Sequence, residues 1–299
     1  MARELTWSLG RPASRHGTTG PKESAEHLRL RGIDGDRVLV VVPVHGHHQM
    51  THALLADVRR ESALADVVIV DNRGDYPTIG DEQVLRPSSN LGWAAGTNLG
   101  TLEGGRSDHV GFVWLNNDTR LSAGFVAGLL QCWRTTGAGM VGPFYDCHWA
   151  HQRLRRPVPV ERYRPRAVHF SAPFLDGTCM FVPAQTIAAI GLLDAETFSP
   201  IGWGAEVDYS LRARAAGLDL AVTRLSYLHH DKSATGRTIF EGGLIEYATR
   251  GYPVLMEGLC RKWGDDWRRA AGMDPSTSQT RPLGRDARLR RSQASPAAQ

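Results

Sequence analysis

Short apolar runs alternate with amphipathic stretches through the first half of the chain. The apolar runs end at proline or at polar turn residues and lie at 38–43, 67–70, 84–86 and 110–115. Runs of this length are typical of strands that are buried on both faces of a sheet. The helical patterns lie at about 49–62, 94–103 and 125–135. This alternation predicts an α/β fold in which helices flank a Rossmann-like, mostly parallel sheet.

The second half of the chain has a less regular pattern. It predicts strands at 179–182 and 220–222, and helices at 186–190, 206–216 and 239–262, the last of them broken at Pro253. Residues 1–36 and 266–299 are polar and show no sustained period. They predict a loosely ordered N-terminal arm and a disordered basic tail. Residues 37–265 are therefore expected to form one large domain.

The composition is that of a globular enzyme. Of the 299 residues, 41% are hydrophobic and 22% are charged, which excludes a collagenous, coiled-coil or wholly disordered protein. No apolar run approaches the ~18 residues of a transmembrane helix, and residues 1–10 lack the apolar segment of a signal peptide. The four cysteines are scattered without a CxxC pair, as expected of free thiols in a reducing cytoplasm.

The formal net charge of +4 comes from the end of the chain. Residues 281–299 contain five arginines and one aspartate, so the rest of the chain is neutral overall. A basic tail without a basic domain gives no support for a nucleic-acid partner. The tail leaves open a peripheral contact with anionic lipid at the inner face of a membrane. The sequence also leaves open whether the chain forms a homo-oligomer.

Polar residues follow two of the predicted strands. Asp71 ends the run at 67–70, and Asn116, Asn117 and Asp118 follow the run at 110–115. In parallel sheets, such positions line the ligand crevice. Asp71 can accept hydrogen bonds from a base or a ribose, or it can end its strand in an Asx turn. The carboxylate of Asp118 can hold a divalent cation together with a diphosphate, or the three residues can form a polar turn.

A third acidic motif opens the helix predicted at 206–216. Glu206 and Asp208 are two residues apart and point in different directions on a helix, so they do not form a paired dyad. The carboxylate of Asp208 can be stabilised by the positive end of the helix dipole, or it can form an i,i+4 ion pair with Arg212. Glu206 is the better candidate for a general base. Trp203 can stack on a sugar or acceptor face, or it can belong to the core.

Histidines and glycines add further candidates. The cluster of His45, His47, His48 and His52 lacks a metal-ligand spacing, whereas His229 and His230 follow a strand-like segment and can complete the coordination of a cation at Asp118. The glycine-rich segment 90–100 contains neither GxGxxG nor a Walker motif. The absence of GxSxG and HExxH from the sequence disfavours hydrolase triads and zincins.

Taken in order, seven segments resemble the inverting glycosyltransferases of family 2, and most closely their rhamnosyltransferase-like branch. They are 38–44, 69–72, 90–100, 115–119, 176–180, 206–212, and His230 with Ser233. The resemblance covers about residues 37–240 and implies the GT-A fold. It implies a nucleotide-binding half at 37–120, and an acceptor half with C-terminal helices at 121–265. The implied activity is metal-dependent transfer of a sugar, with inversion, from a nucleoside-diphosphate sugar to an acceptor hydroxyl.

The resemblance also assigns roles to individual residues. On the nucleotide and donor side it implies Pro43, Val44, His45, Asp71, Asn90, Gly92, Asn98, Asn116, Asn117 and Asp118. Around the sugar or acceptor it implies Asp176, Gly177, Trp203, Gly204 and Asp208. Glu206 matches the general base, and Asp118 and His230 match the ligands of Mg²⁺ or Mn²⁺, with His229 as the fallback. Asn116 and Ala205 stand where the family has a further acidic residue.

Several alternatives remain open from the sequence. The donor can be a UDP, dTDP or GDP sugar, and the acceptor can be a saccharide or a small natural product. Because Ala205 replaces an acid of the family motif, a sugar-nucleotide-binding protein without transfer activity is the competing interpretation. A sugar nucleotidyltransferase is disfavoured because the turn at 43–48 has one glycine and no arginine or lysine.

Overall fold

The structure is a computed structural model that describes residues 37–147, 149–231 and 234–273. The strands are β1 (Arg37–Val44), β2 (Ala65–Asp71), β3 (Gln83–Leu85), β4 (His109–Leu115), β5 (Thr119–Leu121), β6 (Met140–Tyr145), β7 (His169–Ser171), β8 (Cys179–Pro183) and β9 (Leu220–His230). The α-helices are α1 (His48–Arg59), α2 (Gly92–Gly104), α3 (Phe125–Thr136), α4 (Ala184–Ile190), α5 (Ala205–Ala215), α6 (Ala234–Thr238), α7 (Gly243–Trp263) and α8 (Trp267–Ala270). The predicted N-terminal arm lies outside the described residues.

The strands form one sheet in the order β3-β2-β1-β4-β8-β6-β9-β5, with β7 beside β9. Strands β3, β2, β1 and β4 are parallel, as predicted for the first half of the chain. The second half is mixed, because β8 runs antiparallel to both β4 and β6. Strand β9 is parallel to β6 but antiparallel to β5 and β7. The sequence pattern did not predict these antiparallel pairs.

Both faces of the central strands are covered by helices. In β1, Val40 and Val42 face a core that includes Leu54 of α1 and Phe125 of α3. The alternate residue Val41 faces a second core on the opposite side of the sheet. Burying each such side chain stabilises the fold by roughly 1.5–3 kcal/mol. The continuous apolar runs therefore reflect strands that have no solvent-facing side.

Two elements of the second half differ from what their sequence pattern predicts. Strand β9 extends to His230 instead of ending near residue 222. Helix α7 runs without a break through Pro253. Proline removes one helical amide, which leaves the carbonyl of Thr249 without its usual donor. Both residues are exposed, so water can satisfy that carbonyl.

The ordered chain also continues beyond the predicted domain end at residue 265. Helix α8 lies within the segment 266–299, for which the sequence predicts a disordered tail. Trp267 and Ala271 are buried in the second core, which holds this part of the segment in place. Residues 274–299 of the predicted tail lie outside the described residues. Within the described ranges, none of the helices combines the length and apolar composition that a membrane span requires.

The glycine-rich segment lets α2 lie close to the sheet. Gly96, Gly100 and Gly104 are spaced four residues apart on one face of this helix. A Cβ atom on Gly100 would lie 2.5 Å from Cγ1 of Val41 and 2.9 Å from Cγ2 of Val70. Gly92 has a φ of 73°, and a Cβ there would lie 1.9 Å from the carbonyl oxygen of Pro200. The glycines thus serve close packing and a turn that only glycine fits.

We predict that Gly100→Ala destabilises the protein. Better helix propensity would contribute about 1 kcal/mol, but overpacking against the sheet costs roughly 1–3 kcal/mol and prevails. Gly104→Ala is the matched control, because a Cβ atom added to Gly104 would lie 3.0–3.1 Å from its nearest neighbours. Its loss of unfolding free energy should therefore be smaller. Urea unfolding measures both free energies. A Gly100→Ala variant as stable as the unmodified protein would contradict the packing described here.

Candidate active site

A cavity of about 510 Å³ lies where β1, β2 and β4 end at their carboxyl edge. Its lining contains most of the residues singled out in the sequence, namely Pro43, Val44, His45, Asn90, Gly92, Asn116, Asn117, Asp118, Asp176, Gly177, Trp203, Glu206 and His230. Segments far apart in the chain therefore meet at one edge of the sheet, as expected for a ligand crevice in an α/β protein. Asp118 and Glu206 share this cavity.

The contact between Asp118 and His230 forms part of the cavity wall. Nε2 of His230 lies 3.1 Å from Oδ1 of Asp118. This buried nitrogen makes no hydrogen bond to another group within the described ranges. Nδ1 of the same ring lies 3.4 Å from Oγ1 of Thr178. A carboxylate oxygen and an imidazole nitrogen placed in this way can both bind one divalent cation.

Burial and mutual contact act in opposite directions on this pair. Burial favours the neutral form of each group, but the contact outweighs it. The pKa of Asp118 is therefore lowered from its ordinary value, and the pKa of His230 is raised. The carboxylate is ionised at neutral pH, as a cation ligand must be.

The turn between β4 and β5 holds Asp118 in place. Oδ2 of Asp118 accepts a hydrogen bond from the amide of Ala234 at 3.1 Å. The amide of Asp231 donates to the carbonyl of Asp118 at 2.9 Å. The side chain of Asn117 donates to the carbonyl of Gly46 at 3.3 Å and so ties the turn to the loop after β1. Three segments thus fix the position of one carboxylate.

Glu206 lies in the first turn of α5 and lines the same cavity. Its Oε2 accepts a hydrogen bond from the amide of Gly204 at 3.1 Å. Burial, and then the negative charge of Asp176, raise the pKa of Glu206 to about 8. The orientation of Asp176 is fixed, since Nε1 of Trp149 donates to its Oδ2 at 2.8 Å and the amide of Thr178 donates to its Oδ1 at 2.9 Å. Near pH 8, Glu206 can therefore exchange a proton with a bound molecule.

Asp71 does not line the cavity. Its side chain is fully buried and accepts hydrogen bonds from the amides of Arg73, Gly74 and Tyr76. This is the turn-forming role that the sequence left open as the alternative to base recognition. The neighbouring Asn72 lines the cavity instead. Its side-chain amide donates to the carbonyl of Gly92 at 3.2 Å.

Three other residues implied by the resemblance also lie outside the cavity lining. The side chain of Asn98 exchanges two hydrogen bonds with the backbone of Leu193, so it joins α2 to a loop. Gly204 precedes α5 with a φ of 95° and donates its amide to Glu206. Asp208 is fully buried and accepts from Arg212 at 2.9 Å and from Nε1 of Trp263 at 2.9 Å. In the structure these three residues bond other protein groups and do not face the cavity.

One cavity wall comes from residues that the sequence analysis did not identify. Helix α7 and the segment before it contribute Phe240, Tyr247, Tyr252 and Leu255. An amphipathic helix pattern does not indicate which surface the apolar face covers, so no sequence signal placed these side chains at the cavity. The cavity is consequently aromatic on this side and acidic near Asp118 and Glu206.

Trp203 connects this wall to α5. Its Nε1 donates to the hydroxyl of Tyr247 at 3.2 Å, and the two rings meet edge to face at 5.2 Å. A Cβ on Gly251 would lie 2.7 Å from the indole, so α7 packs tightly against Trp203. The indole is half-buried and lines the cavity, which leaves part of it available to a bound molecule.

Other reactive side chains have ordinary structural partners. Nε2 of His47 bonds Oγ1 of Thr238 at 2.9 Å, and His48 pairs with Asp75 at 3.1 Å. No group of three or more His, Cys, Asp or Glu side chains suited to a metal ion occurs among the described residues. Burial raises the pKa of the Cys132 and Cys147 thiols to about 12, so neither is a nucleophile at neutral pH.

Two mycobacterial relatives match most of the chain. Uncharacterized protein Rv1525 of Mycobacterium tuberculosis (strain H37Rv) and uncharacterized protein Mb1552 of Mycobacterium bovis are each 40% identical to it over 236 residues. The match covers 79% of this chain and 88% of each relative. No model of a protein family matches the chain.

The fold is also similar to that of a solved structure. A crystal structure of GalNAc-T7 with UDP, GalNAc and Mn²⁺ matches 86% of this chain with a TM-score of 0.56 and 16% sequence identity. The match covers 54% of that protein, so this chain spans about half its length. At this identity the similarity establishes the fold alone. The fold is GT-A, as the resemblance of the sequence motifs implies.

The raised pKa of Glu206 predicts a specific dependence of stability on pH. The group is protonated below about pH 8 when folded but only below its ordinary value of 4.5 when unfolded. The folded protein therefore binds more protons between these values, and the contribution of Glu206 to stability falls as pH rises through this window. We expect Glu206→Gln to match the unmodified protein near pH 4.5 and to be increasingly more stable towards pH 8. Denaturant unfolding across this range measures the difference. A difference independent of pH would contradict the raised pKa.

Proposed function

Because this chain belongs to the family of the mycobacterial proteins Rv1525 and Mb1552 and has a GT-A fold, we propose that it is a metal-dependent inverting glycosyltransferase. It moves a sugar from a nucleoside-diphosphate sugar to an acceptor hydroxyl, in the manner of the family 2 enzymes that its motifs resemble. One observation carries the proposal. A cation-binding pair, Asp118 and His230, and a carboxyl group with a raised pKa, Glu206, line a single cavity at the carboxyl edge of the sheet.

The donor side of the proposal rests on the edge of the sheet formed by β1, β2 and β4. Pro43, His45, Asn72 and Asn90 line the cavity there and offer backbone and side-chain polar groups to a nucleoside. The GalNAc-T7 structure, which shares the fold, holds UDP and Mn²⁺, which supports a nucleoside diphosphate and a divalent cation as ligands. The proposed donors remain UDP, dTDP or GDP sugars. The proposed nucleotide-binding half is 37–120, and the acceptor half with C-terminal helices is 121–265.

The residues present suit a divalent cation. The buried Nε2 of His230 has no hydrogen-bond partner within the described ranges and lies 3.1 Å from an ionised carboxylate. When bound, Mg²⁺ or Mn²⁺ supplies positive charge that offsets the charge developing on the leaving diphosphate. Asp118 and His230 would hold the cation through Oδ1 and Nε2, which lie at the carboxyl edge of the sheet.

Glu206 is proposed to accept the proton of the acceptor hydroxyl. The amide of Gly204 orients its carboxylate, and burial together with the negative charge of Asp176 raises the pKa of the carboxyl group. A pKa near the working pH combines a usable ionised fraction with a strong tendency to take the proton. Attack by the hydroxyl on the face of the sugar opposite the diphosphate breaks the glycosidic bond to phosphate and inverts the anomeric carbon. No second nucleophile is required.

The aromatic wall is proposed to receive the acceptor or the sugar. Trp203 and Tyr247 contribute an indole and a phenol to the cavity lining, and flat apolar faces of sugars stack on such rings. The hydroxyl of Tyr247 accepts from Trp203, which leaves its own proton available to a bound oxygen. Gly177 lies against Trp93 and Glu206, since a Cβ atom added to it would be 3.2–3.4 Å from their side chains. It therefore shapes the passage between donor and acceptor.

We predict that Glu206→Gln lowers turnover by about 10²–10⁴-fold, because it removes the general base. Nucleoside diphosphate binding should stay within about twofold, since Asp118 and His230 are unchanged. In the unmodified protein, kcat/KM should rise as pH increases through about 8, where Glu206 loses its proton. Release of nucleoside diphosphate from a panel of UDP, dTDP and GDP sugars measures these effects.

Glu196→Gln is the matched control for this experiment. Glu196 is exposed and does not line the cavity, so its variant should retain full turnover. Near-normal turnover of Glu206→Gln would show that Glu206 is not the general base. Release of pyrophosphate by the unmodified protein would indicate a nucleotidyltransferase instead, and binding without turnover of any donor would indicate a sugar-nucleotide-binding protein.

We predict that His230→Ala weakens Mn²⁺-dependent binding of a nucleoside diphosphate by about 10–100-fold, because one of two protein ligands is lost. His229→Ala is the matched control: its side chain is half exposed and lies 3.6 Å from Asp146, and it does not line the cavity. Calorimetric titration with and without Mn²⁺ compares the two variants. Equal weakening by both, or unchanged affinity in His230→Ala, would contradict the assignment.

A further inference from the structure

A segment between β6 and β7 carries an unusual concentration of exposed positive charge. Its six arginines are all exposed, and they are Arg153, Arg155, Arg156, Arg162, Arg164 and Arg166. Its single acid, Glu161, lies 3.6 Å from Arg120 of β5. None of the six forms an ion pair with a carboxylate in the described part of the chain, whereas Arg37, Arg59 and Arg212 elsewhere do. We call residues 153–166 the arginine segment.

The arginine segment is anchored at both ends. The amide of Leu154 donates to the carbonyl of Tyr145 at 2.9 Å. At the other end, the amide of Arg166 and the hydroxyl of Tyr163 both donate to the carbonyl of Arg224, at 2.9 and 2.8 Å. The ring of Tyr163 stacks on Tyr227 with centroids 4.7 Å apart. The charges are thus presented by a chain that is already ordered, which lowers the entropic cost of binding.

From this charge distribution we propose that the arginine segment is a docking surface for a phospholipid bilayer with anionic headgroups. Guanidinium groups bind phosphate oxygens with two parallel hydrogen bonds. Each arginine close to such a surface strengthens binding by about fivefold at moderate ionic strength, and the attraction decays over a Debye length of about 10 Å. Six exposed arginines within 14 residues, none of them ion-paired to a carboxylate among the described residues, therefore favour reversible attachment without a membrane-spanning helix.

The segment fits a bilayer better than a nucleic acid. Single-stranded nucleic acids are bound by aromatic rings on which bases stack. The one aromatic residue of the segment, Tyr163, already stacks on Tyr227. Prolines at 157, 159 and 165 are exposed, and the adjoining Val168 is 39% exposed, so the surface offers small apolar groups to the interfacial region beside its charges.

The position of the segment relates this surface to the cavity. Trp149, which lines the cavity, precedes Arg153 by four residues. Attachment through the arginine segment would therefore hold the cavity near the headgroup layer, where an acceptor or donor at the membrane surface is accessible. This inference does not depend on the proposed sugar transfer, since it concerns binding alone.

Co-sedimentation of the full chain with vesicles tests the proposal. The vesicles are phosphatidylcholine alone, or phosphatidylcholine with about 30% phosphatidylglycerol, at about 0.1 M and about 0.5 M NaCl. We expect binding only to the anionic vesicles, and its loss at the higher salt concentration. Equal binding to both kinds of vesicle, or none to either, would overturn the proposal.

Two variants that remove five charges each locate the binding surface. The first replaces Arg153, Arg155, Arg156, Arg162 and Arg164 by Gln, and the second replaces Arg281, Arg285, Arg288, Arg290 and Arg291 by Gln. The first should lower the partition coefficient by at least about 100-fold, and the second by no more than about tenfold. Equal losses, or a larger loss in the second variant, would assign binding to total charge or to the end of the chain and overturn the proposal.

Two further measurements keep the result unambiguous. Circular dichroism and thermal unfolding should be unchanged in the first variant, because none of its side chains is buried. If the variant unfolds, the double variant Arg155→Gln with Arg156→Gln replaces it, with an expected loss of about 10–25-fold. Polyuridylate and an anionic polysaccharide serve as competitors. Binding of either to the arginine segment, without binding of anionic vesicles, would identify a different partner and contradict the inference.

Discussion

The pairing of β5 with β9 is the constraint on which the candidate site depends. In this antiparallel pair Thr119 lies opposite His230, and the amide of Asp231 bonds the carbonyl of Asp118. Strand β9 is held in turn by β6 and β7. The distance between the Asp118 carboxylate and the His230 imidazole is therefore set by strand β9 and by a turn that leads directly into its partner strand β5. A site held in this way loses little order when a cation binds.

The cavity keeps Asp118 and Glu206 in different protonation states. Contact with His230 holds the pKa of Asp118 below its ordinary value, whereas burial and the charge of Asp176 raise that of Glu206 to about 8. Groups separated in this manner can divide the work between charge binding and proton transfer. Burial is the larger cause of the raised pKa of Glu206, and the charge of Asp176, which is oriented by Trp149 and Thr178, adds to it. The chemistry therefore depends on side chains that support the reacting groups as well as on those groups themselves.

The sequence predicted the parts of the fold in which local pattern and burial agree. The apolar runs of β1, β2 and β4 are continuous because both faces are covered, and Asp118 stands at the end of such a run. It did not predict the length of β9, whose buried Thr223 and Ser226 interrupt the apolar pattern but are bonded to His169 and to the carbonyl of Phe125. Asp71 shows the same limit: the sequence places an aspartate at a strand end, but not the direction of its side chain. The contribution of Tyr247 depends on which surface α7 covers, which only the tertiary structure determines.

A crystal structure with Mn²⁺ and UDP bound would test the central claim most directly, with the metal located by its anomalous scattering. We expect one manganese peak in contact with a carboxylate oxygen of Asp118 and Nε2 of His230. The diphosphate should lie on the same ion, and the Glu206 carboxyl should face the sugar side of the cavity. A manganese ion held elsewhere, or a nucleotide bound outside the cavity that Asp118 and Glu206 share, would contradict the account.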